Sequence, residues 1–166
     1  MESTIDHRVQ TLLEDLCHST RSIRGCLLAT SDGVAVTQYN LSQQSLNLAA
    51  LSASALGIGC KVTEVAECAD LEEVSFKGFD GWVSVIAVGT RAVLTTIANE
   101  GCSIEMVAHY SRKYAQQVLQ ILDPEQAQIL EQRKEARGLE EHGTMQGALR
   151  ALAAMEATAS AERVEH

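Results

Sequence analysis

The fold is decided by the stretch LSQQSLNLAALSASALGIGCKVTEVAEC, residues 41–68. Apolar residues recur in it at helical spacing, so it predicts one long helix from Leu41 to Cys68. A two-strand hairpin, Ser22–Gln38, comes before it, and a three-strand meander, Leu71–Ala98, comes after it. Because the hairpin can reach the meander only if the helix crosses the sheet, we expect one five-stranded antiparallel sheet. The predicted class is α/β of the layered α+β kind, with helices on both faces of the sheet.

The predicted central helix has two apolar faces of different character. Large side chains at spacings of three and four form a seam that we expect to pack on the sheet. These residues are Leu48, Leu51, Ala55, Ile58, Val62 and Val65. The second face is small and nearly uncharged. Gly57 and Gly59 lie inside the helix, which predicts a kink or a close approach by another backbone.

The other elements follow from the same periodicities. A first amphipathic helix is predicted from Ile5 to Ser19, and a last one from Ser103 to Leu122, where Asp123-Pro124 ends it. Ser42 is a candidate cap for the central helix. We therefore expect a domain over residues 1–123 and a charged, Ala-rich tail over residues 124–166. The tail has helical patterns at 125–137 and 148–161, and we expect it to be partly helical or disordered.

Charge and composition exclude several classes of function. The net charge is −9, so the chain offers no basic field for nucleic acid or for anionic membranes. Apolar runs fall short of the roughly 18 residues that span a membrane, and the first residues lack the apolar run of a signal peptide. The five cysteines are not spaced as metal or redox motifs and fall in apolar stretches. These patterns predict free, buried thiols and a cytoplasmic protein.

Side chains with catalytic potential do not form a recognisable site. The histidines lack metal-ligand spacing, and no serine lies in a nucleophile elbow. Gly57–Lys61 lacks the spacing of a phosphate loop, and Glu72 and Glu73 point to opposite faces of a strand. Arg91 is expected to be a solvated loop residue, and Trp82 a core residue. We therefore predict no catalytic, cofactor-binding or metal-binding residues, and a protein that acts through its surfaces rather than as an enzyme.

The predicted topology leaves the strand over 72–77 at an edge of the sheet. Exposed edges pair with other strands, and a two-fold axis beside this one would join two copies into a continuous ten-stranded sheet. The small face of the central helix would then lie beside its mate. The predicted dimer interface consists of Ala49, Ser52, Ala53, Leu56 and Cys60 on the helix and Val74 and Phe76 on the strand.

The hairpin GCLLATSDGVAV, residues 25–36, resembles the opening hairpin of Roadblock/dynein light chain domains. The helix over 48–68, the run Trp82–Val88 and the closing helix that ends at Leu122 fit the same pattern. The resemblance extends from about Ile5 to Leu122 and implies an α-β-β-α-β-β-β-α, Roadblock/longin-like fold. The tail lies outside it.

The resemblance also implies partners. Members of this family form homodimers, or dimers with a relative, through the third strand and the long helix, and they bind Ras-like small GTPases. MglB-type members act as GTPase-activating proteins by repositioning the catalytic groups of the GTPase. The resemblance therefore supplies no catalytic residues and no cofactor, and it predicts a GTPase-activating or GTPase-binding dimer.

Two alternatives remain open from the sequence. The chain could be a scaffold or adaptor subunit of a GTPase or motor complex that leaves hydrolysis unchanged. It could also be a small-molecule sensor resembling PAS or GAF domains, which would require a roomy pocket with a few convergent polar groups. The apolar strands and the small-faced helix favour tight packing over such a pocket.

Overall fold

A computed structural model describes residues 2–41, 45–68, 70–133 and 135 of the chain. Its elements follow one another in the order expected from the sequence. They are α1 (Glu2–Ser19), β1 (Ile23–Thr30), β2 (Ala35–Tyr39), α2 (Ser45–Val65), β3 (Glu73–Gly78), β4 (Gly81–Val88), β5 (Ala92–Asn99) and α3 (Ile104–Leu122). The predicted α-β-β-α-β-β-β-α order is confirmed.

The strands form one antiparallel sheet in the order β2-β1-β5-β4-β3. The hairpin joins the meander through β1 and β5, so within the described residues β3 has a strand partner on one side only. The prediction that this strand lies at an edge is confirmed. The β1–β2 turn needs Gly33, whose φ is 88° and whose absent Cβ would lie 2.9 Å from Cα of Ala50. This close contact seats the turn against α2.

The helices lie on both faces of the sheet, as the sequence predicts. Adjacent residues of β5 show this, because neighbouring side chains on a strand point to opposite faces. Thr95 donates a hydrogen bond to Ser52 on α2, whereas Thr96 accepts one from Ser111 on α3. α1 packs against α3 and the β1–β2 hairpin. The largest fully buried side chains include Leu13, Leu16, Leu27, Leu28, Leu94, Val85, Val107 and Val118.

Capping residues set the bounds of α3. The hydroxyl of Ser103 accepts the backbone N–H of Met106 at the N-terminus, and the backbone N–H of Asp123 bonds to Leu119 at the C-terminus. Asp123 then begins a new helical stretch, because its side chain accepts the N–H of Gln126 at 3.0 Å and Pro124 follows it. The predicted end of the helix at Asp123-Pro124 is confirmed.

The chain divides into two compact units, residues 1–127 and 128–166. The first contains the sheet and its helices. In the second, residues 128–133 and 135 are helical, with Ile129 exposed and Leu130 half-buried. The predicted helical run over 148–161 and the Ser42 cap lie outside the described residues.

Candidate functional site

The face of α2 that lies on the sheet is the small one. Ala49, Ser52 and Leu56 are 0%, 2% and 8% exposed, and they pack on the sheet near Leu27 and Val85. The sequence predicts that these three residues lie at a dimer interface. That assignment is wrong for them, because their own sheet already covers them and they have almost no surface left for a partner.

The large apolar side chains of α2 face outward instead. Leu51, Ile58, Val62 and Val65 are 67%, 65%, 60% and 84% exposed. The prediction that they form the sheet-facing seam is therefore wrong. The residues of α2 that pack on the sheet are mostly small, and the bulky side chains remain exposed beside this contact, where several of them look toward β3.

The remaining residues of the predicted interface are accessible. Ala53 and Val74 are half-buried, whereas Cys60 and Phe76 are exposed. Val74 and Phe76 lie on the α2 side of β3, because they pair with Val85 and Val83, which belong to the core beneath α2. These residues join the outward side of α2 to the β3 edge.

The two helix glycines differ in their surroundings. A Cβ on Gly59 would lie 2.7 Å from Cδ2 of Leu71 and 2.8 Å from Cγ2 of Val74, so this glycine admits a close neighbour. That neighbour consists of side chains, not of the backbone that the sequence predicted. A Cβ on Gly57 would meet nothing within 4 Å. Gly57 therefore leaves open space on the outward side of α2.

The backbone of β3 presents unused hydrogen-bonding groups at the sheet edge. A two-residue turn closes β3 and β4 at the pair Gly78 and Gly81, and such a closing pair is hydrogen-bonded. Because the direction of N–H and C=O alternates along a strand, those of Glu73, Ser75 and Lys77 point away from β4. No strand of the described chain lies on that side.

The opposite edge of the sheet is less suited to pairing. The β1–β2 register shifts between Leu28 and Ala29, where Val36 forms an extra, exposed residue in β2. Bulges of this kind disrupt the ladder and protect sheet edges. β3 pairs with β4 without any such shift. The regular β3 edge is therefore the better template for another strand.

A groove of about 790 Å³ lies between α2 and β3. Its lining is mainly apolar, and most of its polar residues are serines and a threonine. The apolar lining residues include Leu51, Ile58, Val62, Leu71, Val74, Phe76 and Val83. Along all of α2 the charged residues are Lys61 and Glu64, which form an exposed pair at 2.6 Å. We call this groove and the outward side chains of α2 the α2/β3 surface.

The apolar composition of α2 gives it a property that membrane-spanning helices also have. Of the described residues, only the segment Leu46–Val65 is long and apolar enough to cross a membrane by length and composition. Core helices of soluble proteins pass the same test. Here the helix lies along a sheet, and Ser52 bonds to Thr95. The outward side of this helix is therefore an exposed apolar face of a helix that packs on its own sheet.

The cysteines do not form a metal site in the described part of the chain. No group of three or more His, Cys, Asp or Glu side chains there is placed to hold a metal ion. All five cysteines are free, and the thiols of Cys17 and Cys26 lie 3.4 Å apart in the core. The hydrogen bond with Cys17, together with burial, raises the pKa of Cys26. Cys60 and Cys68 are exposed, so the prediction of five buried thiols is wrong for them.

Trp82 and Arg91, which are typical of interfaces and of catalytic loops, lie elsewhere in the domain. Trp82 is half-buried, with the ammonium of Lys77 5.2 Å from its ring centroid, so it belongs to the margin of the core. Arg91 is exposed in the β4–β5 turn, as expected, and its carbonyl accepts the N–H of Ser31. Neither residue contributes to the α2/β3 surface.

Comparison with known proteins gives one family match. Residues 9–98 match the model of the Roadblock/LC7 domain. Among solved structures, a Roadblock/LC7 domain from Streptomyces avermitilis is 16% identical with a TM-score of 0.64, covering 68% of this chain and 96% of that one. MglB from Myxococcus xanthus is also 16% identical with a TM-score of 0.64, covering 70% and 96%.

A structure described as MglB with a tetrameric arrangement is 20% identical with a TM-score of 0.65, covering 70% of this chain and 89% of that one. At these identities the likeness shows the shared fold. No curated protein matches the chain significantly.

Proposed function

Because the chain belongs to the Roadblock/LC7 domain family, we propose that it is a dimeric regulator of a Ras-like small GTPase. It would act in the cytoplasm and would contribute contacts rather than catalytic side chains. The family and the fold are common to regulators and adaptors. The regulatory role is our proposal, and it is supported by the likeness to MglB structures.

The observation that carries the proposal is the uncovered α2/β3 surface. Large apolar side chains such as Ile58 and Val65 are mostly exposed, and they adjoin a regular, unpaired strand edge. Contiguous apolar patches on soluble proteins mark sites of protein association. A second copy can extend the sheet at β3 and cover part of α2 at the same time. The tetrameric arrangement of one MglB structure supports assembly as a property of this fold.

The proposed mechanism is a shift in the conformation of the GTPase. Its switch segments differ between nucleotide states, and a partner that contacts one state better than the other shifts the equilibrium by that difference in affinity. An apolar surface that is already formed in the single chain, such as the α2/β3 surface, is suited to contacts of this kind. Hydrolysis would then use the catalytic groups of the GTPase, held in place by the regulator.

A phosphate-release assay tests the proposal. A Ras-like GTPase recovered with this protein would be purified and its single-turnover hydrolysis measured with and without the dimer. We expect faster hydrolysis, together with tighter binding to one nucleotide state. Binding without any change in hydrolysis or nucleotide exchange would overturn the regulatory role and would favour the adaptor alternative.

One observation favours a second candidate function. The groove volume of about 790 Å³ falls within the range of small-molecule pockets, which keeps a sensor role open. A thermal-shift screen with small metabolites tests this role. A ligand that raises the melting temperature at micromolar concentration and is lost on Val74→Arg would support the sensor role over the GTPase regulator.

A further inference from the structure

Two cysteine side chains meet in the core between α1 and β1. The sulfurs of Cys17 and Cys26 lie 3.4 Å apart, and the two residues are 8% and 0% exposed. Cys17 lies on the buried side of α1, together with Leu13. Cys26 lies on the α1 face of β1, because its neighbour Leu27 packs with Ala49 of α2 on the other face. The fold thus brings into contact two thiols that stand nine positions apart in the sequence.

The connection between α1 and β1 keeps these positions close. α1 ends at Ser19, and β1 begins at Ile23. In the turn between them, the carbonyl of Thr20 accepts the backbone N–H of Ile23, and its hydroxyl accepts that of Ser22, each at 3.3 Å. β1 is also paired with a strand on each side. The contact between the two sulfurs is therefore set by both elements and by the turn that joins them.

We propose that Cys17 and Cys26 form a modification site, at which a hydroperoxide such as hydrogen peroxide converts the two thiols to a disulfide in the folded protein. A disulfide joins sulfurs about 2.05 Å apart, so these two need to approach by roughly 1.4 Å. The site lies on the face of the sheet opposite to α2. It is therefore separate from the proposed dimer and from the α2/β3 surface.

The surroundings of the two thiols give them different roles. Cys26 donates a hydrogen bond to the carbonyl of Leu13 at 3.3 Å, and it lies within hydrogen-bond reach of the Cys17 sulfur. The hydrogen bond with Cys26 lowers the pKa of Cys17, whereas the same bond, together with burial, raises the pKa of Cys26. Because the thiolate is the nucleophile in thiol oxidation, Cys17 attacks the peroxide and Cys26 closes the disulfide.

The reaction has two steps and balances with hydrogen peroxide as the oxidant. The Cys17 thiolate attacks one peroxide oxygen, the O–O bond breaks, and the released hydroxide takes up a proton, which gives water and a sulfenic acid on Cys17. The Cys26 sulfur then attacks the sulfenic sulfur, the S–O bond breaks, and the proton of Cys26 leaves with that hydroxide as a second water. The two thiols together lose two electrons and two protons, and the peroxide is reduced to two molecules of water.

Burial of the pair selects a small oxidant. Hydrogen peroxide is close to water in size, whereas glutathione disulfide and aromatic disulfide reagents are far larger. A mixed disulfide with one of these reagents would place a bulky group in a close-packed core beside Cys26, which is 0% exposed. Cys60 and Cys68 are exposed and are open to both kinds of reagent.

The disulfide would change how firmly α1 is held on the sheet. A covalent bond between positions 17 and 26 closes a short loop and restricts the unfolded chain, which stabilises the folded state. Cys26 would give up its hydrogen bond to Leu13, whose carbonyl still accepts the helical N–H of Cys17. α1 would therefore be held more firmly to β1 after exposure to peroxide than before it.

The test uses the full chain with Cys60→Ser and Cys68→Ser, which removes the two exposed thiols and retains the buried ones. The folded protein would be treated with hydrogen peroxide, and the remaining thiols would then be alkylated before digestion with trypsin.

Non-reducing peptide mapping shows whether the bond has formed. Trypsin places Cys17 in the peptide over 9–21 and Cys26 in the peptide over 25–61. We expect the two peptides to be joined in most chains, with a mass lower by two hydrogens than their sum. Dithiothreitol should separate them. The melting temperature of the linked protein should be higher by about 5 °C or more, because the disulfide restricts the unfolded chain.

Cys102 provides the matched control. It is 8% exposed, as is Cys17, but it lies in a separate core cluster with Ala98 and Val107. In the same background, Cys102→Ala should leave formation of the linked peptides unchanged, whereas Cys17→Ala should abolish it.

Three results would overturn the proposal. Linked peptides that are absent from the folded protein, or that form only in urea, would show that the sulfurs do not react in the native core. Oxidation of Cys17 to a sulfinic acid without linkage would exclude Cys26 as its partner. A linked protein that melts below the reduced one would show that the bond forms only by distorting the contact between α1 and β1.

Discussion

The hydroxyl of Thr95 on β5 donates a 2.8 Å hydrogen bond to the hydroxyl of Ser52 on α2, and both residues are almost completely buried. On the opposite face of the sheet, the hydroxyl of Ser111 on α3 donates a hydrogen bond to the hydroxyl of Thr96, which follows Thr95 on β5. One strand thus holds a helix on each face through a buried hydroxyl pair. The Ser52–Thr95 pair sets which side of α2 faces the sheet, since each buried hydroxyl needs its partner.

Removing one member of this pair should be costly. Ser52→Ala leaves the Thr95 hydroxyl buried without a partner, so we expect a loss of about 1–3 kcal/mol in the free energy of unfolding, measured by urea denaturation. Ser52→Ala with Thr95→Val should recover part of that loss, because neither polar group then remains. Ser54→Ala is the control on the exposed side of α2 and should change stability by less than about 0.5 kcal/mol. Equal losses for Ser52→Ala and Ser54→Ala would contradict the packing of α2.

A charge on the outward side of α2 should prevent dimer formation. Ile58→Arg places a guanidinium in the centre of the α2/β3 surface, where the proposed dimer would have to bury it without a partner. We expect a monomer by light scattering, with an unchanged far-UV circular dichroism spectrum, because Ile58 is 65% exposed in the single chain. The control is Gln117→Arg on the exposed side of α3. A dimer mass for Ile58→Arg would place the interface elsewhere.

Ala53→Arg, the change that the sequence alone suggests, is a less clean test of the same surface. Ala53 is half-buried. An arginine at this position could disturb the packing of α2 as well as an interface. Ile58→Arg avoids this ambiguity.

The β4–β5 turn depends on a glycine. Gly89 has φ of 63°, and the side-chain amide of Gln126 holds the turn by accepting the N–H of Thr90 at 3.0 Å and donating to its hydroxyl at 3.1 Å. A Cβ on Gly89 would overlap Gln126 Oε1. We therefore expect Gly89→Ala to lower the free energy of unfolding by about 1–2 kcal/mol or more.

The matched control for this turn is Gly101→Ala. A Cβ at Gly101 would meet nothing within 4 Å. Its thermal unfolding should stay close to that of the wild type. If Gly89→Ala and Gly101→Ala had the same melting temperature, the hydrogen bonds between Gln126 and the turn would not contribute to stability.

Thiol labelling should divide the cysteines into two classes. Cys60 and Cys68 are exposed and should react within seconds to minutes with Ellman's reagent, whereas Cys17, Cys26 and Cys102 are buried and should react only on unfolding. The raised pKa of Cys26 further lowers its thiolate population. Rapid labelling of all five thiols in the native protein would show that the α1–β1 core opens readily.

The sequence was sufficient for the order and type of the elements. Local signals decide these, such as the turn at Gly33, the apolar run of β4 and the stop at Asp123-Pro124. Each depends on a few neighbouring residues whose backbone preferences do not need the rest of the chain. The edge position of β3 also followed, because the number of strands and the short connections leave few ways to join a hairpin to a meander.

The orientation of α2 could not be predicted in this way. Periodicity shows that a helix has apolar residues on more than one side, but it does not show which side its own sheet covers. The usual assumption that the larger side chains go inward failed, because Leu51, Ile58 and Val62 face outward while Ala49 and Ser52 lie on the sheet. The residues that could have indicated it are Ser52 and Thr95, because a buried hydroxyl on the helix and one on the strand can satisfy each other.

The sequence by itself determined which residues form helices and strands, and in what order, since these choices are governed by local backbone preference and apolar spacing. Only the tertiary structure decided which side of α2 is buried and which β3 backbone groups are left open. Those outcomes depend on close packing and hydrogen-bond pairing between segments far apart in the chain, such as Ser52 with Thr95 and Gly59 with Leu71.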